Sequence, residues 1–201
     1  VSPDLPTFKP MDGIPEEKGL TELRVALAAM GLTEVITYSF IAPRWMAFFP
    51  GEALELLNPI SEEMKIMRTS IVPGLVAVVE RNRKLQARDI SLFEIGKTFH
   101  TGAGGKLPDE VRRLGIALSG MRFDPHWSEK GRPVDFYDIK GIAESLLGPM
   151  ELKPSNNGHL KPGCQADIVL DGSIIGTVGS VHPDILGLMD TDDEILVLEV
   201  L

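Results

Sequence analysis

Apolar and polar positions along the chain alternate between spacings of three to four and spacings of two. Leu20, Leu23, Leu27 and Met30 recur at helical intervals and share one face. Pro15 suits the first turn of that helix, Glu16 and Glu17 lie at its positive end, and Gly31 closes it. Val35–Phe40 then sets Ile36, Tyr38 and Phe40 against Thr37 and Ser39, which predicts a strand. A short helix is expected after Pro43 and a short strand over Leu54–Leu57, before Asn58-Pro59 breaks regular structure. The next helix is expected over Val72–Lys84, with Ser70 as its cap and Pro73 in its first turn.

Strand character dominates the remainder. Ile90–Ile95 and Leu114–Ser119 read as strands, with the glycine-rich Thr101–Lys106 as a hairpin loop and Gly120–Pro133 as a long polar loop. Asp135 or Asp138 caps a helix carrying Ile139, Ile142, Ala143, Leu146 and Leu147, ended by Gly148. Ala166–Leu170, the turn Asp171-Gly172 and Ser173–Val178 form a hairpin. A short helix from Pro183 to Met189 and a strand over Ile195–Val200 complete the set. With no regular strand–helix alternation, the fold class is α+β, a mainly antiparallel β-sheet flanked by helices. Residues 1–14 read as a linker from a preceding module and 15–201 as one core domain. The polar, proline-rich start without an initiator Met suggests a piece of a longer chain.

Composition narrows the functions available. The 201 residues are 43% hydrophobic and 24% charged, as expected of a water-soluble domain. The single Cys164 excludes an internal disulfide and fits a reducing cytoplasm; it is expected to be a buried, inert thiol. No apolar run approaches the roughly 20 residues that span a bilayer, so no membrane partner is expected. A net charge of −9 disfavours nonspecific nucleic-acid binding. Arg81, Arg83, Lys84 and Arg88 are read as cations complementing a helix C-terminus rather than as an RNA contact.

The search for chemistry returns little. His100, His126, His159 and His182 are too scattered for a zinc site, and no metal site is expected. Neither a nucleophile elbow nor a Walker phosphate loop is present. Gly172, Gly176 and Gly179 read as bulges or tight packing in a hairpin rather than as a place where a ligand meets backbone. Two charges stand out. Arg68 follows the apolar pair Ile66-Met67, and Glu94 sits mid-strand between Phe93 and Ile95. A charge in such a setting is paired if buried, so a structural Arg68–Glu94 interaction is expected, with no catalytic residue.

Leu57-Asn58-Pro59-Ile60-Ser61-Glu62-Glu63-Met64, Met67-Arg68-Thr69-Ser70, Pro73-Gly74-Leu75 and Leu92-Phe93-Glu94-Ile95-Gly96 together resemble the central module of the bacterial phenylalanyl-tRNA synthetase β subunit family. The passage Gly31–Phe40, the segment Asp135–Gly141, and His159–Gly163 with Gly176–Pro183 follow in the family's order. The resemblance covers about residues 15–201 and implies a class II aminoacyl-tRNA synthetase-like fold. It implies an (αβ)2 heterotetramer in which the α subunit uses ATP and Mg2+ to join phenylalanine to tRNA. This module would be a noncatalytic copy that scaffolds the α subunit, needs no cofactor of its own and meets tRNA only through the full-length assembly. Leu20, Leu23, Leu27 and Met30 would form the subunit interface, because a helix in that location does so in class II enzymes; packing on the chain's own sheet is the other reading. Class II catalysis needs arginines on ATP phosphates, whereas Leu92–Phe99 offers Glu94 and Lys97, and no glycine-rich segment leads to an arginine. The family's editing, DNA-binding-like and anticodon domains have no counterpart in this sequence. The competing readings are an independent nucleotide-using enzyme and a stand-alone amino-acid or nucleotide binding module.

Overall fold

The computed structural model describes residues 15–49, 51–102, 107–122, 127, 130–189, 191 and 193–201. The linker read at 1–14, the loop core at 103–106 and His126 lie outside the described residues. Four helices are described: α1 (Pro15–Ala29), α2 (Val72–Lys84), α3 (Phe136–Leu147) and α4 (Pro183–Leu188). The strands are β1 (Thr33–Glu34), β2 (Phe40–Ile41), β3 (Ile66–Met67), β4 (Ile90–His100), β5 (Asp109–Ser119), β6 (Glu151–Pro154), β7 (Leu160–Leu170), β8 (Ser173–Val181) and β9 (Ile195–Val200). Seven of them form one sheet in the order β1-β4-β5-β9-β8-β7-β6, and β2 pairs with β3. Only β1 against β4 is parallel in the large sheet; the other pairings are antiparallel.

Alternation along the central strands divides the core in two. Leu92, Ala117, Ile195 and Val197 face α2, α4 and the 3₁₀ turn Pro43–Ala47, whose Trp45 is buried with Phe49 in the same cluster. Phe93, Ile116, Leu118, Leu196 and Leu198 face α1 and α3 on the other side. Strand β9 is buried along its whole length because it is central and covered on both faces. Helix α2 lies close to the sheet because Gly115 has no side chain: a Cβ there would come within 2.8 Å of Leu75 and 3.1 Å of Ile71.

The helices agree with the apolar spacing. At α3 both candidate caps act, Asp135 accepting from the backbone of Tyr137 and Asp138 while Asp138 reaches back to the backbone of Asp135. The turn at Asp171-Gly172 has φ of 50° and 78°, the paired positive angles that a two-residue hairpin requires.

Three expectations are corrected. Val35–Phe40 is not one strand: after Val35 N–H donates to Phe93 O at 2.9 Å the chain leaves the sheet edge, and only Phe40 belongs to a strand, β2. Its alternation is reversed, with Thr37 turned toward buried charges while Ile36 and Tyr38 are 90% and 70% exposed. Leu54–Leu57 contributes only an isolated bridge, Glu55 to Ile66. Cys164 is exposed, because the β7–β8 register slips between Leu160 and Gln165 and Gly163 takes a φ of +79°. The hairpin β4–β5 also runs further than its apolar positions indicate, to the pairing of His100 with Asp109.

Candidate functional site

Arg68 leaves β3 directly onto the face of β4, and its ladder-like bonds fix it there: its N–H donates to Ser39 O and its carbonyl accepts from Phe99 N, each at 2.9 Å. The guanidinium Nη1 donates to Glu94 Oε1 and to Thr37 Oγ1, both at 2.8 Å, and Nε donates to Lys97 O at 2.9 Å. The Thr37 hydroxyl in turn donates to Glu94 Oε2 at 2.7 Å. Both side chains of the ion pair are 3% exposed. Glycines make the space: a Cβ on Gly96 would collide with Arg68 Nη2, and one on Gly74 with Thr37 Oγ1. Both carboxylate oxygens have donors and the hydroxyl is used in both directions. The pair is buried and hydrogen-bonded within the fold, which is what a buried charge pair requires.

The same face of the sheet holds a cleft of about 500 Å3 next to this network, lined by Phe49, His100, Arg113, His159, Thr177 and Glu199 among others. Glu199 Oε1 accepts from Ile71 N at 2.6 Å. Burial pushes the Glu199 carboxyl up, against the opposing pull of the Ile71 bond, Arg113, Ser70 and Arg68. His159 stacks on Phe49 with ring centroids 4.5 Å apart, and its buried Nε2 has no partner. Burial lowers its pKa to about 4, so the ring is neutral at pH 7. His100 is lowered by burial first and by the nearby Arg113 charge second, and its Nε2 lies 3.1 Å from Thr98 Oγ1. Glu199 had the same signal as Glu94, a carboxylate inside an apolar strand, and could have been singled out on that ground. Arg113 and His159 have no such signal, because only the sheet register brings them to one cleft.

The remaining residues singled out by sequence fall elsewhere. Leu27 is fully buried, and Leu23 and Met30 pack against the same α1–α3 cluster, so this stripe covers the chain's own sheet. Leu20 is half-buried at its edge. At the end of α2, Arg83 pairs with Asp193 and donates to Ser119 Oγ at 2.8 Å, and Lys84 reaches Glu80 at 2.6 Å. Gly176 and Gly179 serve packing: a Cβ on Gly176 would strike Glu199 O, and one on Gly179 would lie 2.7 Å from Cys164 O. Among the described residues no three His, Cys, Asp or Glu side chains stand together as metal ligands. No described helix is long and apolar enough to cross a membrane.

Arg68 is enclosed and paired with Glu94, and the cleft offers one guanidinium beside two carboxylates, Glu52 and Glu199.

Comparison with known proteins agrees with this architecture. The family model described as the phenylalanyl tRNA synthetase beta chain CLM domain matches residues 3–201. The phenylalanine–tRNA ligase beta subunit of Syntrophus aciditrophicus (strain SB) is 35% identical over 191 residues, 89% of this chain and 24% of that protein. The corresponding subunit of Xanthomonas oryzae pv. oryzae (strain MAFF 311018) is 37% identical over 198 residues, 93% of this chain and 25% of that protein. The chain thus spans about a quarter of the length of the curated relatives it matches. Among solved structures, the pyrrolysyl-tRNA synthetase from Desulfitobacterium hafniense superposes with a TM-score of 0.63 at 17% identity, covering 90% of this chain and 66% of that one. That likeness concerns the fold, which is class II synthetase-like.

Proposed function

The chain belongs to the family of the phenylalanyl tRNA synthetase beta chain CLM domain, and on that premise we propose that it is a noncatalytic core module scaffolding a catalytic α subunit. In this reading the whole assembly is an (αβ)2 heterotetramer in the cytoplasm. ATP and Mg2+ act on the α subunit, and tRNA is met through the rest of the assembly. Residues 15–201 form the module and 1–14 lead into it. A stand-alone amino-acid or nucleotide binding protein is not favoured, given the extent of the family match.

The observation that carries the proposal is the buried Arg68–Glu94–Thr37 network. Where the resemblance leads one to expect a strand arginine free to hold phosphates, β4 presents Glu94, and the arginine that reaches it is consumed by that carboxylate. A transition state that builds charge on phosphate would find no preorganised cation there. Docking falls to a different surface from the α1 stripe. Ile36 and Tyr38, both exposed, line a groove of about 320 Å3 with Arg44, Glu63, Ala77 and Arg81. Apolar residues rimmed by charge are the character of a protein interface.

Co-expression with a phenylalanine–tRNA ligase α subunit provides the test. The chain should co-purify with that subunit and should show no phenylalanine-dependent pyrophosphate exchange alone. Exchange by the chain alone overturns the noncatalytic reading, and failure of the folded full-length β subunit to hold the α subunit overturns the scaffold.

A further inference from the structure

The cleft beside the Arg68–Glu94 network carries groups that the network does not use. Arg113 lines it half-buried, and among the described residues it forms no ion pair; its Nε makes one long bond, 3.4 Å to Thr98 Oγ1. A partly desolvated guanidinium with unmatched terminal nitrogens suits a planar anion, which it can hold through two parallel bonds. Glu199 offsets it only in part, since burial raises the carboxyl against the pull of the Arg113 charge. One of its oxygens is committed to Ile71 N at 2.6 Å, and burial biases the carboxyl toward its neutral form.

Apart from the exposed carboxylate of Glu52, the rest of the cleft is uncharged and flat on one side. Phe49 and His159 stack at 19° to each other and form a wall, with the imidazole held neutral by burial. Thr177 sits opposite Glu199 in the β8–β9 register and supplies a hydroxyl. A volume of about 500 Å3 lies within the roughly 300–1,000 Å3 common for small-molecule sites.

From this arrangement we propose that the cleft binds a small organic carboxylate bearing a planar apolar group, its carboxylate on Arg113 and its apolar part against Phe49 and His159. A single guanidinium beside carboxylates selects one negative group of this size, not a polyphosphate. The site adds to the module's proposed docking role and does not depend on it.

Titration of the full chain with benzoate and with its uncharged isostere benzamide tests the proposal, read by calorimetry and by the His159 ring resonances. Benzoate should bind saturably and at least about tenfold more tightly than benzamide. Arg113→Met should weaken benzoate at least about tenfold and leave benzamide unchanged. Thr177→Met, which fills the cleft with Arg113 intact, should abolish binding of both and decides the matter if the arginine variant does not fold. Equal affinity for the two probes, undiminished benzoate binding in either folded variant, or no saturable binding below roughly 10 mM overturns the site.

Discussion

Replacing one member of the buried Arg68–Glu94 pair strands the other charge inside the fold. Arg68→Met or Glu94→Leu alone should therefore cost about 3–5 kcal/mol, measured by the shift in urea midpoint. The double variant should recover most of that loss, because two apolar side chains leave no uncompensated charge. A second residue sets an acid limb. His159 has a folded pKa of about 4 against an ordinary 6.5, so between these values the unfolded chain takes up a proton that the folded state refuses. Its contribution is full above pH 6.5 and is lost as pH falls toward 4, by at most about 3 kcal/mol. Glu199 works in the opposite sense, since its raised pKa makes it lose stability as pH rises through and above 4.5. Comparing the pH dependence of unfolding of the wild chain with His159→Phe cancels the Glu199 part and leaves the histidine slope. Equal slopes would show that the ring titrates normally in the fold. Both charged residues of the pair were visible in the sequence as charges among apolar neighbours. The histidine was not, because a lone His between Gly158 and Leu160 says nothing of the Phe49 ring that covers it.

At the scale of elements, local chemistry specified the helices and the tight hairpin. Asp135 and Asp138 close the N-terminus of α3 reciprocally, and the Asp138 carboxyl is held low by its bond to Arg132 and further by Asp135 N–H. Asp135→Ala should cost about 1 kcal/mol and should speed amide exchange in the first turn of α3 while leaving α2 unaffected. Strands were less legible. The alternation in Val35–Phe40 fits a strand equally well with either set of residues inward, and only the neighbours choose. Arg68 and Glu94 chose Thr37, which put Ile36 and Tyr38 in solvent. The same limit hid the slip in β7 that exposes Cys164.

For the whole molecule, the two faces of the sheet have different fates. One face takes α1 and α3 as a core, in which Leu27 is fully buried and Leu23 and Met30 are partly buried. The other is covered by α2, α4 and the turn Pro43–Ala47, with the cleft beside the Arg68–Glu94 network and the groove around Ile36 and Tyr38. The double variant Ile36→Asp, Tyr38→Asp should weaken association with an α subunit at least about tenfold in pull-down titrations while leaving the melting temperature unchanged. Unaltered association would move the interface elsewhere. The sequence by itself determined the α+β class, the helices, the family, and the Arg68 and Glu94 pairing, because periodicity, capping and isolated charges act over a few residues. The tertiary structure alone decided which side of Val35–Phe40 faces inward, that Leu27 of the α1 stripe is core, and that Arg113, His159 and Glu199 share a cleft. Those outcomes depend on strand register across distant segments, and a one-residue change of register would have reversed them.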